Sequence, residues 1–464
     1  MQKSLYFCTR FSYIYSCIMI EKFTVENYRS YQKKETLSFL ASNKEKGVSE
    51  AWYKVLDGKR FLRLLICVGL NGTGKSKMFS ALSYLRMIAT SKPKNPTDKP
   101  EYRPFLLDDE SRNKPTVLTL TYYIDTTPYY YKVAISTDRV EEEELRMLGT
   151  TDSRIFSRMY NAARDKVVVK YGPACDLSKG DQRTLEANTL QNATVLAAFG
   201  GMNLESKVLR ETYDYFVKHI SMVKRSDQSL ADRLQTGDVE RDKRVKTLLL
   251  KLLSDVNTNI VDYVVDDTSI RIEDLIKSGA PQVVVDVMKD QYPSGIISRK
   301  NLRFIHKTAD SGEKDLDGGL ESVGTISIIR LLVVMYDIVM GRKTATIDEI
   351  DAGIHTKALA FILKMYLSIA DDCQIAVATH DLSLLGQEGL RRDAVRMFEK
   401  DDNGNTYIKK HEYVHNTINF QRMYTKKLDP KLDDLLQNGD LFAEYHELVR
   451  KLREEIEVIR GVKK

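Results

Sequence analysis

Three groups of side chains in this chain have the types and spacing to work on a phosphate chain. The first is Gly69-Leu70-Asn71-Gly72-Thr73-Gly74-Lys75-Ser76, with Lys77 following. The G-x-x-x-x-G-K-S spacing lets the backbone curl so that several N–H groups face one anion, and the helix after it adds the positive end of its dipole. Lys75 can reach β- and γ-phosphates, and Ser76 can offer a hydroxyl to Mg²⁺. The second group is Asp348-Glu349, at the end of the short run Lys343–Ile347. Asp348 can hold Mg²⁺ together with Ser76, and Glu349 is placed to polarise the water that attacks a γ-phosphate. The third is Thr379-His380-Asp381, after the apolar run Gln374–Ala378. A His at the C-terminal end of such a strand faces the ligand crevice and can donate to the γ-phosphate.

These groups need a sheet to hold them. Phe61–Val68, interrupted only by Arg63, reads as the strand that feeds the glycine loop, and Lys77–Arg86 as the helix that follows. Upstream, Ile20–Val25 and Thr36–Phe39 read as strands, and Asn43–Lys59 as a polar surface excursion. Thr116–Ile124 and Tyr129–Ile135 form a hairpin across Asp125–Pro128. With Arg154–Tyr160 and Lys166–Tyr171 they make an antiparallel flap over residues 102–172. Helical periodicity begins near Asp176 and is clearest over Leu204–Val223 and Asp238–Leu253. Ile260–Val265, Gln282–Val287 and Arg303–His306 are strand-like. Ser322 is an N-cap for the apolar helix Ile326–Val339, after the turn Asp317-Gly318-Gly319. That helix start, with Gly324, is a second anion-binding geometry. A hairpin around Asp401–Gly404 closes the sheet, and Leu441–Ile459 reads as a charged amphipathic helix. Asp429, Asp433 and Asp434 read as helix-start charges rather than metal ligands.

The 464 residues, 42% apolar, allow two to three domains with a sizeable core. A net charge of +6 on 71 basic and 65 acidic residues permits nucleic-acid contact without arguing for it. Arg241, Lys243, Arg244, Lys246 and Lys251 make one helix basic, either as a solvated face or as a surface for nucleic acid or an acidic partner. The five cysteines form no C-x-x-C pair, which fits reduced thiols in the cytoplasm. No uninterrupted apolar run approaches the roughly 18 residues that span a bilayer, so no membrane partner is expected. Met1–Ile18, aromatic-rich and lacking a signal-peptide pattern, reads as a disordered or loosely attached extension ahead of Met19. The expected division is residues 1–18, then 19–175 as the first half of a nucleotide-binding core with its flap. An inserted helical part, 176–300, would follow, then the second half, 301–415, and a helical tail, 416–464.

Taken in order, phosphate loop, Ser-x-Gly helix start, Asp-Glu strand and strand-His resemble the motif set of the ABC-type ATPases. Phe23-Thr24-Val25-Glu26-Asn27-Tyr28-Arg29-Ser30-Tyr31 is similar to the opening segment of the SMC/RecF-like branch. Glu321-Ser322-Val323-Gly324-Thr325 and Asp348-Glu349-Ile350-Asp351-Ala352-Gly353-Ile354-His355 resemble forms found in the stand-alone AAA-family ATPases of bacterial phage defence, the RloA/AbiL type. The resemblance implies an α/β P-loop ABC-type core: a mixed sheet with an antiparallel flap and an inserted helical subdomain. It implies ATP and Mg²⁺ as ligands, and a homodimer or higher homo-oligomer with ATP at the interface. Lys75, Ser76, Asp348, Glu349 and His380 would act from one subunit; Ser322 and Gly324 would bind the γ-phosphate on the other. His355 would sit in the loop crossing that interface, Arg29 near the nucleotide, and Gln191 is a positional candidate for the glutamine loop. The expected function is an ATP-hydrolysing switch or sensor of a bacterial phage-defence system, controlling a separate nuclease or toxin effector through ATP-dependent assembly. The alternative is a RecF/SMC-like DNA-repair or maintenance ATPase.

Overall fold

The structure, a computed structural model, describes residues 17–42, 50–223, 229–255, 258–387 and 389–410. The chain opens with β1 (Ile18–Glu26), which turns through residues 27–31 into β2 (Glu35–Ser38). Asn27 and Arg29 take left-handed φ values of 49° and 52° in that turn. The Asn27 side chain pins it, donating to the carbonyls of Ser111 and Lys114 and accepting from the Phe105 N–H. Ile18 is already a buried strand residue, so the first strand begins two residues before the expected Ile20 and takes in the last residue of the segment read as an extension; residues 1–16 lie outside the described residues.

Part of the expected surface excursion is ordered as a hairpin, β3 (Tyr53–Leu56) and β4 (Lys59–Leu62). Its turn is Asp57-Gly58, both with positive φ, as a two-residue hairpin of this hand requires. The Asp-Gly pair between Val55-Leu56 and Phe61-Leu62 was the sequence signal for it. Arg63 then divides the run read as one strand. β4 stays in the hairpin, while β5 (Leu64–Val68) enters a different sheet.

After β5 come the phosphate loop and α1 (Lys75–Thr90), then β6 (Thr116–Ile124), β7 (Thr127–Ile135), β8 (Val140–Met147), β9 (Ser153–Asn161) and β10 (Lys166–Tyr171). With β1 and β2 these form a seven-stranded antiparallel sheet, ordered β10-β9-β8-β7-β6-β1-β2. Next come α2 (Lys179–Asn188), α3 (Val195–Gly200) and α4 (Lys207–Asp214), the last running through a π-turn, Tyr215–His219, into β11 (Ile220–Val223). The single helix expected over Leu204–Val223 therefore ends at His219. A four-residue strand appended to a helix is too short for its own period to register.

The segment that follows is half helical and half sheet: α5 (Leu230–Leu234), α6 (Val239–Asp255), β12 (Ile260–Arg271), α7 (Ile272–Lys277), α8 (Gln282–Gln291), β13 (Ile296–Lys307) and β14 (Glu313–Asp317). Strands β12, β13 and β14 form their own antiparallel sheet. Gln282–Val287, read as strand-like for its valines, is the start of α8 behind Pro281; only Val285 of those valines is buried, so no alternating face exists.

The chain closes with α9 (Val323–Met340), β15 (Thr344–Ile347), α10 (Thr356–Ile369), β16 (Gln374–Thr379), β17 (Val395–Lys400) and β18 (Thr406–Lys410). The second large sheet is ordered β11-β15-β16-β5-β17-β18, parallel except for β18. Helix α9 has 18 residues and a mean hydropathy of 1.9. It meets the length expected for a bilayer span, which the sequence reading missed because Arg330 and Asp337 break the apolar run. Its apolar residues, Ile329 and Leu331 to Met335 among them, pack into the core beside α5, α6 and α10.

One fully buried side chain ties the two large sheets together. The Gln374 Oε1 accepts from the Ile20 N–H at 2.6 Å, and its Nε2 donates to the carbonyls of Ile20 and Leu62 at 3.2 and 3.0 Å. The predicted C-terminal helix, with Asp429, Asp433 and Asp434, lies outside the described residues.

Candidate functional site

β5 ends at Val68 and the chain curls through Gly69–Gly74 into α1. A Cβ on Gly69 would fall 2.5 Å from the Phe398 carbonyl oxygen. Gly74 is left-handed, at φ 106°, and a Cβ there would fall 2.6 Å from Thr406 Oγ1 and 3.0 Å from Ser30 Oγ. Glycine is demanded here by conformation and by space together. Tyr31 steadies the bend, donating its hydroxyl to the Gly74 carbonyl at 2.8 Å. Among the described residues no side chain caps α1, so its first-turn N–H groups are left for an anion. Asn71, Gly72 and Ser76 are exposed, and Lys77 is half-buried.

Lys75 is buried, and its ammonium donates to the loop's own carbonyls, Gly69 at 2.6 Å and Leu70 at 3.0 Å. Burial lowers its pKa; Asp348, Cys67, Asp351 and Glu349 push the other way, in that order. The lysine therefore sits in the field of three carboxylates nearly 280 residues away in sequence. Sheet order explains this: β15 carries Asp348 two strands from β5, with β16 between them.

The loop after β15 is tied to the end of β16. The Ile350 N–H donates to the Ala378 carbonyl at 3.0 Å, and Asp351 Oδ2 accepts from the N–H groups of His380 and Asp381 at 3.3 and 3.1 Å. Glu349 is exposed and held at φ 48°, in the left-handed region a non-glycine residue seldom occupies. Such strain persists only where neighbours fix it. His380 is exposed at the same edge. Asp351 is the residue sequence reasoning passed over. Its signal was present, a third acid two places after the Asp-Glu pair, but its role depends on a strand about 25 residues later.

Ser322 caps α9, its Oγ accepting from the Thr325 N–H at 3.0 Å. A Cβ on Gly324 would fall 2.8 Å from the Gly353 carbonyl, so the first turn of α9 lies against the loop that follows Asp348-Glu349. His355, in that loop, caps α10 through its ring nitrogen. Glu321 lies 2.7 Å from His306 on β13, which links the three-stranded sheet to this turn. No hydrogen bond or ion pair among the described residues joins Ser322 or Gly324 to Gly69–Lys77.

Arg29 lies on the opposite side of the loop. Its neighbour Ser30 bonds to Thr406, the residue packed on Gly74, and its guanidinium lies 5.5 Å from the Tyr28 ring centre. Gln191 is elsewhere. Its carbonyl takes bonds from Val140 and Arg158, and Asn192 and Thr194 bond to the Asn95 and Ile88 carbonyls. That is the far end of α1, about 20 Å along a helix of this length from the phosphate loop, so the positional candidate for the glutamine loop does not reach the site. On α6, Arg241 pairs with Asp337 at 2.8 Å and Lys246 with Asp262 at 2.6 Å. Two of the five basic residues of that helix are thus spent within the fold.

A phosphate loop on a central parallel strand, a His on the next strand and an Asp-Glu pair on the one after it, and an adjoining antiparallel sheet define a P-loop ATPase of the ABC type. The family described as "AAA domain, putative AbiEii toxin, Type IV TA system" matches residues 66–386, well over half of the chain, and the chain belongs to it. Among solved structures it is similar to the SMC head domain from Thermotoga maritima, at 12% identity and a TM-score of 0.36, covering 85% of this chain and 100% of that one. An SMC head bound to the C-terminal winged-helix domain of ScpA gives 11%, 0.37, 85% and 98%. An SMC head with an extended coiled coil bound to the C-terminal domain of ScpA, derived from Pyrococcus furiosus, gives 11%, 0.35, 89% and 99%. No curated protein matches the chain.

Proposed function

We propose that this chain is a cytoplasmic ATP-hydrolysing switch of a bacterial phage-defence system, whose ATP-dependent assembly controls a separate effector, a nuclease or toxin. The observation that carries the ATPase reading is the placement of Lys75 in the field of Asp348, Asp351 and Glu349 at the C-terminal ends of the parallel strands. In this reading Lys75 exchanges its two carbonyl contacts for β- and γ-phosphate oxygens. The amides of the Gly69–Lys77 curl, Asn71 and Gly72 included, surround the phosphates.

Ser76 and Asp348 are one hydroxyl and one carboxylate, the small protein share that Mg²⁺ takes beside phosphates; the ion would supply charge neutralisation at the phosphate oxygens. Glu349 accepts the proton of the attacking water at its carboxylate, and its fixed left-handed backbone aims it. His380 donates a hydrogen bond to the γ-phosphate. Asp351 holds the His380 amide and so sets the gap between Glu349 and His380. Assembly is supported by Leu320 and Val323. These apolar side chains, each 73% exposed, flank Ser322, where a second copy's nucleotide face would cover them.

Glu349→Gln should keep ATP binding and lower turnover by roughly 10²–10⁴, the range for a lost general base. It should also leave a heavier, ATP-held species in sedimentation that Ser322→Arg abolishes. Turnover near wild type would remove the role of Glu349; ATP-induced assembly unaffected by Ser322→Arg would remove the shared site. Lys243 and Arg244, exposed on α6, favour a second reading, a DNA-maintenance ATPase. ATP-dependent DNA binding with a steep salt dependence would select it.

A further inference from the structure

The far end of the three-stranded sheet carries a surface that the ATP site does not use. β12 and β13 pair as far as Arg271 and Ile296, and the chain between them folds into α7 and α8. Backbone bonds tie this cap to the hairpin. The Ile272 N–H donates to the Gly295 carbonyl and the Gly295 N–H to the Tyr292 carbonyl, both at 2.9 Å. α8 lies against α7, and Ile272 of α7 and Val285 of α8 are buried.

Another part of α8 is apolar where it meets water. Val283, Val284 and Val287 are 74%, 43% and 55% exposed. Spacings of three and four residues set them on one face. β-Branched residues are a poor choice for exposed helix positions, because they lose side-chain freedom against the preceding turn. Val283 and Val287 form one row along the face, and Val284 and Met288 the next. Beyond the first row lies a third, Asp286 and Asp290.

Among the described residues neither acid has a cation within ion-pair distance, and Asp286 accepts a bond from the neutral Gln282 Nε2 at 2.8 Å. Residues 266–296 hold six acidic and three basic residues, in a chain whose net charge is +6. The tip is thus acidic on a basic molecule, which disfavours nucleic acid or an anionic membrane as its occupant. A second copy does not suit it either. Two α8 helices laid antiparallel about a two-fold axis set the Asp286–Asp290 row against itself, like charge on like. Laid parallel, they set it against Val284 and Met288. Neither arrangement brings a cation to the acids.

We propose that α8 is the docking face for an amphipathic helix of another protein, one with apolar residues at three- and four-residue spacing and lysine or arginine along one flank. The valines supply the apolar contact, and Asp286 and Asp290 select the partner and its direction. α8 has ten residues and is about 15 Å long, so about three turns of a partner helix cover it. From the tip, β13 returns to β14 and the turn before Ser322, so one sheet joins a docked partner to the start of α9.

The probe is a labelled synthetic helix with leucine at three- and four-residue spacing and lysine along one flank, beside a counterpart with glutamate in place of lysine. Anisotropy titrations against the full chain compare the wild type, Val283→Gln with Val287→Gln, and Asp286→Lys with Asp290→Lys. All four positions are exposed and glutamine is a better helix former than valine, so neither double variant should lower the thermal unfolding midpoint. The wild type should bind the lysine helix about tenfold more tightly than the glutamate helix, the size of two exposed ion pairs with their repulsive counterparts. The valine variant should lose the lysine helix by about tenfold or more, since two buried apolar contacts go. The aspartate variant should reverse the preference. Equal affinity for the two helices, binding unaffected by the valine changes, or a preference kept after charge reversal overturns the proposal. Self-association of the wild type without nucleotide, abolished in the valine variant, also overturns it, because a second copy is then the occupant. None of these titrations contains nucleotide, so they stand or fall apart from the ATP reading.

Discussion

Gly74 and Gly72 both have positive φ, at 106° and 79°, yet they answer to different demands. A Cβ on Gly72 would meet nothing within 4 Å, so Gly72→Ala costs the backbone term alone, about 1–2 kcal/mol for an L-residue held left-handed. A Cβ on Gly74 would fall 2.6 and 2.9 Å from Thr406 Oγ1 and Cγ2 and 3.0 Å from Ser30 Oγ. Overpacking of that kind adds about 1–3 kcal/mol, so Gly74→Ala should cost about 2–5 kcal/mol. The excess belongs to Thr406 and can be isolated. Thr406→Ala by itself gives up a buried hydroxyl bond to Ser30, about 1 kcal/mol. Combined with Gly74→Ala it removes the two shortest contacts and leaves only Ser30 Oγ at 3.0 Å, so the double variant should be more stable than the sum of the singles by about 1–3 kcal/mol. Urea midpoints for the wild type, Gly72→Ala, Gly74→Ala, Thr406→Ala and the double variant give each term. Equal losses at Gly72 and Gly74, or strict additivity of Gly74→Ala with Thr406→Ala, would refute the claim that the β17–β18 hairpin shapes the phosphate loop.

Two further predictions concern the buried polar groups. Glu143 is fully buried and accepts from the Tyr131 hydroxyl and the Val195 and Leu196 N–H groups; burial still pushes its carboxyl up to about 7. Unfolded, it ionises near 4.5, so between about pH 4.5 and 7 the unfolded chain binds fewer protons and stability falls as pH rises, by about 3 kcal/mol. Glu143→Gln should flatten that part of the pH–stability curve measured by urea unfolding; parallel curves for variant and wild type would contradict it. Gln374→Leu leaves one N–H and two carbonyls at the junction of the sheets without this partner and should cost about 3–5 kcal/mol. A shift in midpoint worth under about 1 kcal/mol would mean the glutamine does not hold the sheets together.

What could be read from the sequence were the parts whose chemistry is local. Gly69–Ser76, Asp348-Glu349 and His380 each announce themselves within a few residues, and the strands that carry them are short apolar runs with clear ends. The Asp57-Gly58 hairpin was equally local and was hidden only by the charged residues around it. Other features have no local signature. Asp351 matters because β15 and β16 are neighbours, and Thr406 because the β17–β18 hairpin lies beside β5. Those relations appear only once strand order is known, since the residues that meet are separated by up to several hundred positions. The valines of α8 show the reverse failure: local strand propensity was read correctly and overruled by tertiary placement.

The position of β5 also sets a schedule for synthesis. It lies between β16 and β17, and its neighbour Leu62 waits on Gln374, 312 residues further along the chain. At about 5–20 residues per second, the ribosome needs roughly 15–60 s to deliver them. During that interval Leu-Leu-Ile-Cys-Val, Leu64 to Val68, is an apolar strand with neither edge paired. The nascent chain can complete its antiparallel sheet early, because β1, β2 and β6 to β10 all lie within the first 171 residues. The strand that carries the phosphate loop is therefore translated among the first and docked among the last, and chaperone supply during translation should govern the yield of folded protein more than the stability of the finished fold does.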